Sequence, residues 1–179
     1  MSDHCIWIVD CDVTLEEAPD CAARVMAWLE ESGIALRAPN AEFAYSPATH
    51  CAGPEAASWV AWVEDRVPTG VVAEVGRRVF HSGCNGVDEL VCPRCHAHHG
   101  SDDFDWTIAI DGWWQEGDDQ LVCPACEQAS SITDWQFLEM AWGFGNLGFG
   151  FDGLGVDQKL TDAVARLLGH RVVLVHQKI

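Results

Sequence analysis

The apolar and polar positions along the chain fall into short strand-like runs and two amphipathic stretches. Cys5 to Val9 (CIWIV) is an unbroken apolar run closed by the acids of DCD, the pattern of a buried strand. A helix is predicted next: Pro19 suits its first turn, and Glu16, Glu17 and Asp20 sit where the helix dipole favours negative charge. Cys21, Val25, Trp28 and Leu29 then share one face before Gly33 ends it. A further strand is expected near Glu42 to Tyr45. A second helix is expected from about Pro54 through Trp59, Trp62 and Val63 to Asp65, ahead of the turn signals Pro68 and Gly70. Val71, Ala73, Val75 and Val79 alternate with Glu74, Arg78 and Phe80, as in a half-buried strand.

From residue 81 to 134 the pattern changes to Cys, His, Asp and Gly, with one short helix suggested between Asp103 and Gln115. The regular pattern then resumes. Trp142 to Gly155 (WGFGNLGFGFDGLG) interleaves glycine with large apolar residues. A clear amphipathic helix follows, capped by Asp157, carrying Leu160, Val164, Leu167 and Leu168 on one face and closed by Gly169. Arg171 to Val175 reads as a last strand. The expectation is a single α+β domain over residues 1–179, mixing helices and strands, with an inserted metal-binding subdomain at about 81–134.

The phrase GFGNLG, with Gly143, Gly145 and Gly148, spells the dinucleotide-binding fingerprint. It lacks the preceding strand and the helix starting at its last glycine that the chemistry needs. Phe144, Leu147, Phe149 and Phe151 between the glycines fit an extended, close-packed segment better, where each glycine admits a neighbouring ring or backbone.

Charge alters this picture more than composition does. Hydrophobic residues make up 49% and charged residues 21% of the 179, as in an ordinary globular protein, yet the net charge is −18. Arg94 and Lys159 are consecutive basic residues, so positions 95–158 contain twelve acids and no Lys or Arg. Such a segment repels phosphate backbones, which argues against direct nucleic-acid binding, and it suits a basic protein partner. No apolar run reaches the roughly 20 residues of a membrane span, and MSDHCIWIVDCD starts with an acid rather than a basic region. A cytoplasmic, reducing location is therefore expected, and cysteine clusters there read first as metal ligands.

Two such clusters are present: Cys92-Pro-Arg-Cys95 and Cys123-Pro-Ala-Cys126, each preceded by valine. A two-residue gap lets both sulfurs of a tight turn face one ion, and two turns complete a tetrahedron. Cys92, Cys95 and His96 also spell a haem-attachment motif, but that reading leaves the second C-P-x-C unexplained, and a redox dithiol needs no twin. The paired knuckles resemble those of zinc ribbons. The resemblance implies one structural Zn²⁺ held by Cys92, Cys95, Cys123 and Cys126, although the 27-residue spacer is longer than usual. Cys5, Cys11, Cys21, Cys51 and Cys84 have no paired spacing and read as ordinary thiols.

A four-thiolate site is closed, so catalysis would need a second site. The nearest candidate is His96, His98 and His99 beside the acids, which also leaves open a histidine in place of one thiolate. Among nine tryptophans, Trp106, Trp113 and Trp114 stand between the knuckles. With Asp102, Asp103, Asp105, Asp118 and Asp119 they are candidate contact residues for a partner. Beyond the knuckles, WGFGNLGFGF and ARLLGHRVVLVHQKI are similar to a set of uncharacterised bacterial proteins, which implies a bacterial, non-enzymatic role and assigns no residue. The functional expectation is an acidic protein-binding module with a structural zinc. Such a protein would act as an immunity or inhibitor protein against a basic nuclease-like or nucleic-acid-binding partner; the competing expectation is a metal-dependent enzyme at the histidines.

Overall fold

The computed structural model describes residues 4–44, 46–65, 68–83 and 87–178, so Tyr45 and Cys84, named above, lie outside the described residues. In chain order the elements begin with β1 (His4–Asp10), α1 (Ala18–Glu31), β2 (Ala35–Arg37), β3 (Glu42–Phe43), β4 (Ser46–Pro47), β5 (His50–Ala52) and β6 (Gly70–Phe80). Next come β7 (Glu89–Val91), β8 (His98–Gly100), α2 (Thr107–Trp114), β9 (Gln120–Val122), β10 (Ala129–Ser131) and β11 (Gln136–Phe137). The chain closes with β12 (Gly143–Asp152), α3 (Gln158–Leu168) and β13 (Val172–Lys178).

Six strands form one antiparallel sheet in the order β13-β1-β12-β6-β5-β2, curled into a half-barrel. β6 and β12 are direct neighbours, paired from Gly70↔Asp152 to Phe80↔Gly143. Everything from residue 81 to 142 is therefore an excursion from the tip of one long hairpin.

The two faces of β12 explain its composition. Leu147, Phe149 and Phe151 are fully buried against Val25 and Leu29 of α1 and Leu160 and Val164 of α3. The alternate positions face the other side and are glycines because rings from distant strands lie over them. A Cβ at Gly148 would stand 2.5 Å from the Phe80 ring, and one at Gly150 would stand 2.6 Å from the Phe43 ring and 2.8 Å from Trp7. Trp7, Phe43 and Phe80 themselves pack together, with ring centroids 5.0 Å apart for Trp7–Phe43 and for Trp7–Phe80. The alternation of glycine and large side chains is thus a strand pattern with aromatic rings in place of one set of side chains.

α3 begins where expected: the Asp157 side chain accepts from the amides of Lys159 and Leu160, and Gly169, at φ 77°, ends the helix in the left-handed conformation. At the end of β1 the fully buried Asp10 carboxylate accepts from the amides of Asp12 and Val13 and pairs with His170 Nδ1 at 2.8 Å. That contact ties the start of β13 to β1.

Two expectations are corrected. The fold is mostly β, not a mixed α+β arrangement: three helices of 14, 8 and 11 residues accompany the curled antiparallel sheet. The short strands β2 and β5 and the glycine-rich β12 carry too little of the usual β signature to weigh against the two clear helices. The second helix, expected from Pro54 to Asp65, is only a 3₁₀ turn at Ala56–Ser58. Beyond it the chain is extended. Ala61 donates to Gly155 O, Gly155 to Trp62 O and Glu64 to Gly153 O, so pairing with the loop after β12 replaces the helix.

Candidate metal centre

The excursion carries its own core, in which Leu90, Leu121, Ile132 and Trp135 surround the buried Cys92 and Cys123. Two hairpins, β7–β8 and β9–β10, each end in a C-P-x-C turn. The turns are near copies. The amide of His96 donates to Cys92 O and that of Glu127 to Cys123 O, while Cys92 N donates to Ala97 O and Cys123 N to Gln128 O. His96 at φ 59° and Glu127 at φ 58° take the same left-handed position after the second cysteine of each turn.

The four sulfurs converge, all within 4.8 Å of one another, with Cys92–Cys126 at 3.9 Å and Cys95–Cys123 at 3.7 Å. These separations are far beyond the roughly 2.05 Å of a disulfide. A tetrahedral ion with sulfur ligands at about 2.3 Å requires sulfurs about 3.8 Å apart, so the spacing fits a four-thiolate metal site.

The electrostatics call for a cation. Burial opposes ionisation of Cys92, but the amides of Cys95 and Arg94 and the neighbouring Cys123 and Cys95 thiols outweigh it and bring this thiol down to about 7. Cys95 goes the other way. The Ala97 amide favours its thiolate, but burial and the sulfurs of Cys126, Cys92 and Cys123 push it up to about 12. Four sulfurs this close ionise together only when a cation shares their charge. Two thiols away from the centre are harder to ionise than Cys92: burial pushes Cys5 up to about 12 and Cys11 up to about 11.

Among the described residues, the three histidines are not gathered into a metal-holding group of their own. His98 and His99 are neighbours on β8 and so point to opposite sides. His98 is exposed and meets Glu89 Oε2 at 3.1 Å, whereas His99, opposite Leu90, is buried with Nε2 at 3.2 Å from Cys123 Sγ. His96 is exposed on its turn. His99 is thus placed to donate a hydrogen bond to a thiolate, a supporting role that sequence spacing does not reveal because it depends on the β7–β8 register.

The candidate contact residues are spread over the same subdomain. Asp102, Asp103, Asp105 and Asp118 are exposed, and Asp119 is half-buried, accepting from Ser131 Oγ. Asp103 accepts from the Gly100 amide and Asp105 from Thr107 Oγ1, so part of this acidity shapes local turns. Trp114 is 51% exposed, and Trp106 is half-buried with its indole donating to Ser101 O. Trp113 turns inward, edge-on to Phe144 with its ring under the Arg77 guanidinium.

A cleft of about 720 Å³ lies where the subdomain meets the sheet. Much of its polar lining is paired internally, through Asp12 with Arg171, Asn146 with Val13 O, and Arg77 with Trp113 O.

Among the described residues no helix is long and apolar enough to cross a membrane. No family model, no curated protein and no solved structure matches the chain.

Proposed function

We propose that the chain is a protein-binding module in which a structural zinc orders an acidic surface for a basic protein partner. The observation that carries this reading is the closed tetrahedron of Cys92, Cys95, Cys123 and Cys126 at the root of a subdomain whose exposed charges, Arg94 apart, are acidic. Four thiolates leave a tetrahedral ion no open position, so the ion folds the subdomain. Soft sulfur ligands in that geometry favour zinc over the hard cations. The base-free segment 95–158 then presents Asp102, Asp105 and Asp118 on a rigid frame, which accelerates encounter with a cationic surface and disfavours acidic ones. A nuclease-type or nucleic-acid-binding protein has such a surface, and occluding it is the action of an immunity or inhibitor protein.

The test is capture of partners on the immobilised zinc-loaded chain at low ionic strength, with identification by mass spectrometry. Basic proteins that elute as salt shortens the Debye length from about 30 Å at 0.01 M to about 8 Å at 0.15 M are expected. Recovery of acidic proteins alone, or of none, overturns the reading.

A further inference from the structure

Strand β6 is paired on both sides only near its start. β12 occupies one edge from Gly70 to Phe80, while β5 meets the other at the single position His50↔Val71. Beyond Val71 no other described strand pairs with it. Along this open edge runs a groove of about 580 Å³, with Arg77, Arg78 and Val79 on one wall and Trp106, Ile110 and Trp114 of the α2 region on the other. Residues 76 to 79 all line it, although strand neighbours point to opposite faces. A groove lined by consecutive residues follows the edge of the strand, where backbone N–H and C=O groups are presented.

We propose that this groove receives a short, extended, basic segment of a partner protein, added as a strand to the edge of β6 beside α2. The proposal rests on the reading above and gives it a location. Main-chain hydrogen bonds to a sheet edge supply affinity in this mode of recognition, and alternate side chains supply specificity. The apolar shelf for those side chains is Trp106, Ile110 and Trp114.

Charge in and around the groove selects the occupant. Both arginines are already engaged: Arg77 stacks 4.0 Å over the Trp113 ring and donates to Trp113 O, and Arg78 pairs with Glu74. His81, stacked on Trp142, is held below its ordinary value by burial and by the Arg78 charge, both of which disfavour its charged form. The opposite wall belongs to the base-free segment and places the exposed Asp111 on the groove. The lining is balanced, Arg77 and Arg78 against Glu74 and Asp111, so the sign of the occupant is set by the surrounding field. The chain carries a net charge of −18 and the α2 wall lies in the base-free segment, and a Lys or Arg can reach both Asp111 and the exposed face of Trp114. The edge is also bent. Gly76, at φ 135°, and Arg77 together oppose Asn146 in a β-bulge, which prevents a long flat strand from docking and limits the occupant to a short segment.

The test uses the purified, zinc-loaded full chain and three capped peptides: three Lys–Val repeats, the same peptide N-methylated at alternate residues, and three Glu–Val repeats. Binding is followed by amide chemical shifts. The Lys–Val peptide is expected to move the amides of residues 74–79 and 107–114, with the Glu–Val peptide silent. N-methylation, or Trp114→Ala at a half-exposed position, is expected to weaken binding by at least about tenfold. Equal binding of the methylated peptide, or shifts confined to the Asp102–Asp105 and Asp118–Asp119 turns, overturns the groove while leaving the basic-partner reading intact. Preference for Glu–Val, or no binding of either peptide, also overturns the groove. The partner reading itself then stands or falls on the capture experiment.

Discussion

Replacing Cys123 by serine removes the most buried corner of the metal centre. Cys123 is fully buried, its sulfur lies 3.7 Å from that of Cys95, and His99 Nε2 approaches it at 3.2 Å. A structural zinc contributes about 10–16 kcal/mol to folding, so one thiolate in four carries roughly 3–4 kcal/mol, or about 100- to 1,000-fold in metal affinity. Serine is a poor ligand, and the exchange leaves His99 without its sulfur partner, which costs a further ~1–3 kcal/mol in a buried site. The sum is comparable with the whole stability of many domains, about 5–15 kcal/mol. The subdomain should therefore lose its metal and its fixed packing, while the sheet keeps the core between β12, α1 and α3. The assay is zinc content after dialysis against a mild chelator, together with amide spectra. The native chain should retain one zinc, and Cys123→Ser should retain almost none, with dispersion lost for residues 87–137 and kept for β1, β12 and α3. His99 lies close enough to step in as a ligand, so Cys123→Ser with His99→Ala is the decisive variant. One tight zinc in that double variant would refute the ligand set.

Two further predictions concern the sheet. Gly148→Ala places a methyl 2.5 Å from the Phe80 ring, which is 3% exposed and wedged against Trp7. Overpacking of this kind costs about 1–3 kcal/mol, which lowers Tm by roughly 2–12 °C for a chain of this size, and an unchanged Tm would show that the ring does not cover the glycine. Asp152 is held above the ordinary carboxylate range by burial, with Glu64 adding to it, against the opposing amides of Ala44 and Gly153. A carboxyl raised in the folded state binds its proton more tightly there than in the unfolded chain. Stability is therefore lost as pH rises from the unfolded value, near about 3.9, through the folded one. Asp152→Asn keeps an acceptor for the Ala44 amide and should raise Tm at pH 7, with the gain shrinking as the medium becomes acid enough to protonate the carboxyl; a lower Tm at pH 7 would contradict the assignment.

What could be read from the sequence follows the range of the interactions involved. The thiolate pairs are local: each C-P-x-C turn closes on itself through the Cys92–His96 and Cys123–Glu127 contacts, so spacing alone revealed them. α1 and α3 were legible for the same reason, since capping and amphipathic faces act within a few turns. The role of His99 was not legible, because it depends on the register that places it opposite Leu90 and on a cysteine 24 positions away. The glycines of β12 lay between these cases. Their alternation announced close approach, but the rings that fill the space come from Trp7, Phe43 and Phe80, and only the curl of the sheet brings these together. The failed helix at Pro54 to Asp65 shows the same limit, because its residues are drawn into extended pairing with Gly153 and Gly155. The most consequential arrangement, β6 as both the base of the excursion and an open edge, is wholly non-local. Arg77 joins the two roles. It leaves the β6 bulge to stack on Trp113 and bond the end of α2, so metal-dependent order in the subdomain holds the far wall of the groove in place against the strand.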